Sequence, residues 1–217
     1  MGVCFRGSSL RSERQSSKNL PFTLFSPYNF VVASLLFHKP YGVLSNFTDS
    51  AGRETLKAYI NVPDVYAAGR LDYDSEGLLL LTDDGELVKR LTDPRQHLPK
   101  TYWAQVEGLI TPQALERLSE GVTIQGWRTR PCTAKAIPEP ALPPRRKPIT
   151  PHAPTSWIEL TLIEGKKRQI RHMAAAVGFP TLRLVRVAIG PLRLGELKPG
   201  QWRWVTESEL GDLKRIH

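Results

Sequence analysis

Apolar residues in this chain fall in short blocks, each cut off by glycine, proline or an acid. "FVVASLLF" (30–37) and "GLLLLT" (77–82) are nearly unbroken apolar runs of strand length, which predicts strands covered on both faces. "KTYWAQVEG" (100–108), "WIELTLIEG" (157–165) and "TLRLVRVAIG" (181–190) interleave polar and apolar positions and read as further strands, with others around Val122 to Ile124 and Thr129 to Ile137. "KPYGVLS" (39–45) reads as a turn into a strand.

Helical spacing is rarer. "TPQALERLSEG" (111–121) carries the full punctuation of a helix: Thr111 as N-cap, Pro112 at the first position, Gly121 past the end. Short helices are expected over Glu54 to Ile60, over "ELVKRLTD" (86–93) and over Lys166 to Val177, with a weak one in "SELGDLKRI" (208–216). Between Pro138 and Thr155 stand seven prolines and an "RRK" triplet, a composition that forbids packed helix or sheet and predicts an exposed loop. The irregular interleaving gives an α+β fold around a mixed or antiparallel sheet, in two sequence halves divided near the proline loop. Residues 1–29, rich in Ser, Arg and Pro without periodicity, read as a flexible basic tail, and 30–217 as the folded domain.

Charge changes the picture. Lys and Arg number 30 against 21 acids, a net charge of +9 over 217 residues, which points to a polyanionic partner. Cys4 and Cys132 are far apart in no metal-ligand spacing, so a reducing cytoplasm fits and neither disulfide nor metal is expected. No apolar run is long enough to span a bilayer, no targeting segment is read, and no membrane association is expected. There is no G-x-G-x-x-G, P-loop or G-x-S-x-G, so nucleotide cofactors and hydrolase triads receive no support.

In this basic chain, "GRLDYDSEGLLLLTDDGE" (69–86) gathers six acids around one apolar run, with Arg70 alone in reply. Turns collect Asp, Glu and Gly for hydrogen-bonding reasons, which is one reading. An EF-hand loop is a second, but a leucine run fills its latter half and Asp83 would have to be its last ligand. The third is a catalytic carboxylate at Asp72, beside Arg70 at the mouth of a buried strand, with its fellow acids as turn formers. In "EGKKRQIRHMAAAVG" (164–178) a helical wheel puts Ile170, Met173, Ala174 and Val177 on one side and Lys167, Arg168, Arg171 and His172 on the other. Cations in a first helical turn oppose the dipole, a cost that bound phosphate removes. Tyr102 and Trp103 are strand neighbours on opposite faces, so one is available to stack on a base.

Those same blocks resemble the pseudouridine synthases, in the branch that modifies ribosomal RNA: "KPYGVLS", "GRLDYDSEGLLLLTDDGE", "KTYWAQVEG", "EGKKRQIRHM" and "LVRVAIGPLRLGELKPGQWR", in that order. The resemblance covers about Leu36 to Glu209 and implies the fold of that family with a catalytic cleft. Many members carry an S4-type RNA-binding domain before the K-P block, and none is read here; Ser75 stands where Thr is common. The resemblance implies an isomerase that needs no cofactor and converts a specific uridine of 23S ribosomal RNA, alone or in an assembling large subunit. A monomer in the bacterial cytoplasm is expected. It further implies Asp72 as the carboxylate acting at the ribose, as nucleophile or as base, Arg171 as its ionic partner and Tyr102 as the aromatic against the target base. Arg70, Lys167, Arg168 and His172 would hold RNA phosphates. The competing class is a non-catalytic ribosomal-RNA-binding or ribosome-assembly protein on the same scaffold.

Overall fold

The computed structural model describes residues 32–215; the tail expected over 1–29, and Phe30 and Val31 of the first strand, lie outside them. In chain order the elements are β1 (Ser34–Lys39), β2 (Tyr66–Ala67), β3 (Glu76–Thr82), α1 (Gly85–Thr92), β4 (Lys100–Glu107), α2 (Pro112–Glu120), β5 (Thr123–Ile124) and β6 (Trp127–Arg128). There follow β7 (Thr133–Ile137), β8 (Thr155–Leu162), α3 (Gln169–Ala176), β9 (Thr181–Ile189), β10 (Leu192–Arg193), β11 (Trp202–Trp204) and α4 (Glu207–Lys214).

The main sheet runs β11-β1-β3-β9-β4-β8-β7, with β2 added to β3 and β10 to β9; β5 and β6 form a separate hairpin. Every pairing is antiparallel except β3 with β9. That seam is short, Glu76 opposite Val185 and Gly77 opposite Arg186. Gly77 allows it: its φ is +106°, and a Cβ there would lie 2.3 Å from the Arg186 carbonyl oxygen.

β1 and β3 are buried along their whole length because both faces are covered. Leu35, Phe37, Leu79 and Leu81 pack with Leu56, Ile60 and Val65 on one side; Leu36, Leu78 and Leu80 pack with Leu87, Leu91 and Leu213 of α1 and α4 on the other. Each such leucine contributes on the order of 2 kcal/mol. Beyond the seam, Ala104, Val106, Ile158, Leu160 and Leu184 meet Leu118 of α2 and Ile170, Met173 and Ala174 of α3.

The mixed sheet in two halves matches the expectation, but the dividing line does not. β4 hydrogen-bonds to both β8 and β9, so one structural half holds strands from before and after the proline loop, and the other joins β1 and β3 to the late β11. No strand forms over 43–45, since the buried Lys39 ammonium takes the carbonyls of Pro40 (2.9 Å) and Val43 (2.6 Å) and curls the chain. Over 54–60 only a 3-10 turn, Leu56–Ala58, appears. The proline loop lacks helix and strand, as read, yet it is fastened. Arg145 stacks 4.3 Å over the Tyr41 ring, Arg146 pairs with Glu54 at 2.5 Å, and Arg183 donates to the Pro143 carbonyl at 2.9 Å. α2 has the expected cap, with the Thr111 hydroxyl accepting from Ala114 N, and α4 has a capping box of Thr206 and Glu209.

Candidate active site

A cleft of about 730 Å³ opens on the sheet face that carries Tyr102 and Leu184. One wall is the segment from Gly69 to Tyr73, and the other is the loop from Glu164 to Arg168 that leads into α3. Asp72 sits on the first wall, partly exposed, and its backbone is pinned on both sides. Before it, the Ser45 hydroxyl accepts from Leu71 N at 3.0 Å and donates to Leu71 O at 2.9 Å. After it, Gly42 N donates to Tyr73 O and Ser75 N closes a turn on Asp72 O, at 2.9 and 3.0 Å. A carboxylate so held enters a reaction without having to be ordered first.

Cations surround that turn. Arg168 grips Asp74 with both guanidinium nitrogens, at 2.8 and 3.0 Å. Arg171 reaches the same residue, donating to its carbonyl at 2.8 Å and lying 3.4 Å from its carboxylate, while its other nitrogen donates to Thr181 O at 3.1 Å. Burial pushes the Asp74 carboxyl up, but the Arg168 hydrogen bonds and the Arg171 charge outweigh it and hold the group below its ordinary value. Glu76 is wholly enclosed and paired through both oxygens with the buried Arg183, at 2.9 Å each. Burial pushes Lys39 down to about 7, against the pull of Glu76, Asp74 and Asp72. The acids around the strand are therefore not turn formers alone: two answer arginines brought from the far half, and Asp84 caps α1 by accepting from Leu87 N at 2.9 Å.

The structure brings Asp72, Tyr102, Arg70, Lys167 and Arg168 into one cleft lining. Three expectations need correction. Arg171 does not pair with Asp72; its ionic and hydrogen-bond partner is Asp74, and Asp72 acts on it only through a longer-range attraction. Two acids separated by one residue across a turn are indistinguishable in sequence, and the turn presents the second to α3. Lys167 and Arg168 are not on a helix face, because α3 begins at Gln169. Arg168 takes a left-handed backbone (φ 55°) as its side chain reaches Asp74, and the Gln169 amide oxygen accepts from Lys166 N at 3.0 Å in the turn before the helix. His172 does not line the cleft: one position further around α3, it accepts from Gln125 Nε2 of the β5–β6 turn at 3.2 Å.

Sequence reading passed over Lys39, Asp74, Glu76 with Arg183, and the buried Arg186 on the cleft floor. One sign of the last two was present: Arg183 and Arg186 interrupt an otherwise apolar strand in "TLRLVRVAIG", where an unpaired cation is costly.

The family model described as RNA pseudouridylate synthase matches residues 33–176, which include both walls of the cleft. Among curated relatives, the ribosomal large subunit pseudouridine synthase E of Xanthomonas axonopodis pv. citri is 55% identical over 170 residues, 76% of this chain and 90% of that protein. The protein of the same name from Vibrio parahaemolyticus is 52% identical over 171 residues, 78% of this chain and 72% of its own. A crystal structure of a pseudouridylate synthase superposes with a TM-score of 0.72 at 29% identity, covering 84% of this chain and 74% of that one. With that match spanning most of the described residues, and the sheet and cleft built as they are, this chain belongs to the RNA pseudouridylate synthase family.

Proposed function

We propose that this protein isomerises a uridine of large-subunit (23S) ribosomal RNA to pseudouridine, with Asp72 as the reacting carboxylate. The observation that carries the reading is the position of Asp72, pinned through Leu71 and Tyr73 at the mouth of a basic cleft large enough for one nucleotide. The names of the relatives supply the RNA. In this reading residues 30–217 form the catalytic domain of a monomer working in the bacterial cytoplasm.

The reaction exchanges a C1′–N1 bond for a C1′–C5 bond, with no change of redox state, so the chain's own side chains can supply every group. The target nucleotide leaves its stack and enters the cleft, as enzymes acting on a base require. Its ribose meets Asp72. The carboxylate either attacks C1′ or takes a proton from C2′, and in both routes the C1′–N1 electron pair departs with the base. Tyr102, on the floor, offers its ring to that base and its hydroxyl to the C5 proton. Arg70 and Lys167, exposed at the two walls, are free to take the flanking phosphates. Arg168 and Arg171 act through Asp74, locking the turn that presents Asp72.

Release of tritium from C5-labelled uridine in unmodified 23S ribosomal RNA, wild type against Asp72→Asn, tests the assignment. Release that disappears in the variant while RNA affinity persists supports it. Equal behaviour of the two proteins would favour a non-catalytic RNA-binding or assembly role.

A further inference from the structure

The floor of the cleft holds a second charged group that the steps above leave unused. Arg186 is 3% exposed, and its Nε donates to Leu78 O at 2.8 Å. Its Nη2 is fully buried without a hydrogen-bond partner, and among the described residues no carboxylate lies within ion-pair reach of it. Arg183, three residues earlier in the same strand, shows what a structural buried arginine looks like here, with a bidentate glutamate and a carbonyl. Arg186 lacks that complement. It stands directly across from Tyr102 in the β4–β9 ladder, and both line the cleft.

A second cation faces the same space. Lys100 lines the floor too, and its ammonium donates to one protein atom, Leu98 O, at 3.2 Å. Burial, and then the positive charge of Arg186, push it down to about 8. Two like charges in a half-dry floor, paired with no carboxylate among the described residues, are favourable only if something accepting fills the gap.

We propose that Arg186, assisted by Lys100, receives the carbonyl oxygens of the flipped uracil and stabilises the base as an anion once its bond to the ribose is broken. The inference rests on the pseudouridine synthase reading. It follows from what surrounds the pair: Leu162, Ile170 and Leu184 make the floor apolar around the Tyr102 ring, a lining for a planar base. A doubly solvated phosphate diester belongs at the rim, where Arg70 and Lys167 are exposed. Uracil offers O2 and O4, acceptors without protons of their own. When the C1′–N1 bond breaks, its electron pair stays on N1 and spreads to those oxygens, while C1′ is bonded to Asp72 or becomes part of a glycal. The fixed cations attract this anion more strongly than the neutral nucleoside, so they lower the barrier and not merely the binding energy. When C5 joins C1′, the ring's electron pair forms the new bond as the C1′–O bond to Asp72 breaks and returns its pair to the carboxylate, or, from the glycal, as Asp72 gives its proton back to C2′. The C5 proton then leaves, N1 ends protonated, and the charge is gone.

The test is single-turnover tritium release at saturating enzyme, with RNA affinity measured over a range of salt, for Arg186→Met, Arg186→Lys and Lys100→Met. Arg186→Met is expected to slow the chemical step by about 100-fold or more, and Lys100→Met by about 10-fold. Arg186→Lys should regain part of the loss, and RNA affinity and its salt slope should stay within about threefold of wild type. If Arg186→Met does not fold, Arg186→Lys and Lys100→Met, which keep a charge in the floor, decide by the same criteria. Folded variants with wild-type rates would overturn the inference. So would a loss confined to affinity with a shallower salt slope, which would give the pair to a phosphate. A wild type that releases no tritium sinks the underlying reading and this inference with it, a result distinct from an active wild type with active variants.

Discussion

Lys39 offers a direct test of the electrostatics beneath the Asp72 turn. Its side chain is completely enclosed, and burial pushes it down to about 7 from an ordinary 10.5. The folded value lies below the unfolded one. Below pH 7 both states hold the proton and the burial penalty is present in full. Between 7 and 10.5 the unfolded chain alone holds it, so stability rises with pH; above 10.5 the contribution is flat again. For Lys39→Met that rise vanishes. Integrating the two titrations between pH 6 and pH 9, the stability of wild type minus that of the variant should grow by about 2.7 kcal/mol. The absolute difference at any one pH also contains the lost donors to Pro40 and Val43, so the slope is the quantity to read. Urea unfolding of both proteins at pH 6, 7, 8 and 9, with m-values compared, measures it. Stability curves that run parallel within about 0.5 kcal/mol would refute the claim that Lys39 loses its proton inside the fold.

The seam and the rim supply the other expectations. Arg183→Met strands the enclosed Glu76 carboxylate and should cost about 3–5 kcal/mol by urea unfolding, whereas adding Glu76→Leu should recover most of the loss. Gly77→Ala drives a Cβ into the Arg186 backbone at a positive φ; destabilisation on the order of 4 kcal/mol, or no folded protein, is expected by circular dichroism. Lys167→Glu should weaken RNA binding and lower the salt slope by about 1, leaving thermal stability within about 0.5 kcal/mol. Arg168→Glu, by contrast, should lower stability as well, since it sets a carboxylate against Asp74.

Much of the sheet was legible in the sequence because β1 and β3 are covered on both faces, and a strand buried twice writes an unbroken apolar run. α2 was legible because its cap and stop are local chemistry. The start of α3 was not. The wheel over 166–177 has the right period, yet the helix waits until Gln169 because Arg168 is bound by Asp74, a contact 94 positions distant. For the same reason Asp74 and Glu76 read as turn formers: their arginines lie beyond the proline loop, and nothing within a short window announces them. The family motif singles out Asp72 and Arg171, but which acid Arg171 meets is settled by the turn. His172 turns toward Gln125 and not into the cleft because it sits one position around α3 from Arg171, a placement that depends on the β5–β6 turn packed there.

The pairing of β1 with β11 has a consequence for how the chain acquires its shape. Leu35 lies opposite Trp204, so one edge of the early β1–β3 pair is closed by a strand made almost last. Until residues 202–204 leave the ribosome, β1 presents a row of free peptide groups on a strand that carries Leu35, Leu36 and Phe37, a template for another chain. A protein shortened before Trp202 would keep the Asp72 turn and the cleft floor in its sequence while leaving that edge bare. Premature termination near the end therefore threatens solubility before it touches the chemistry.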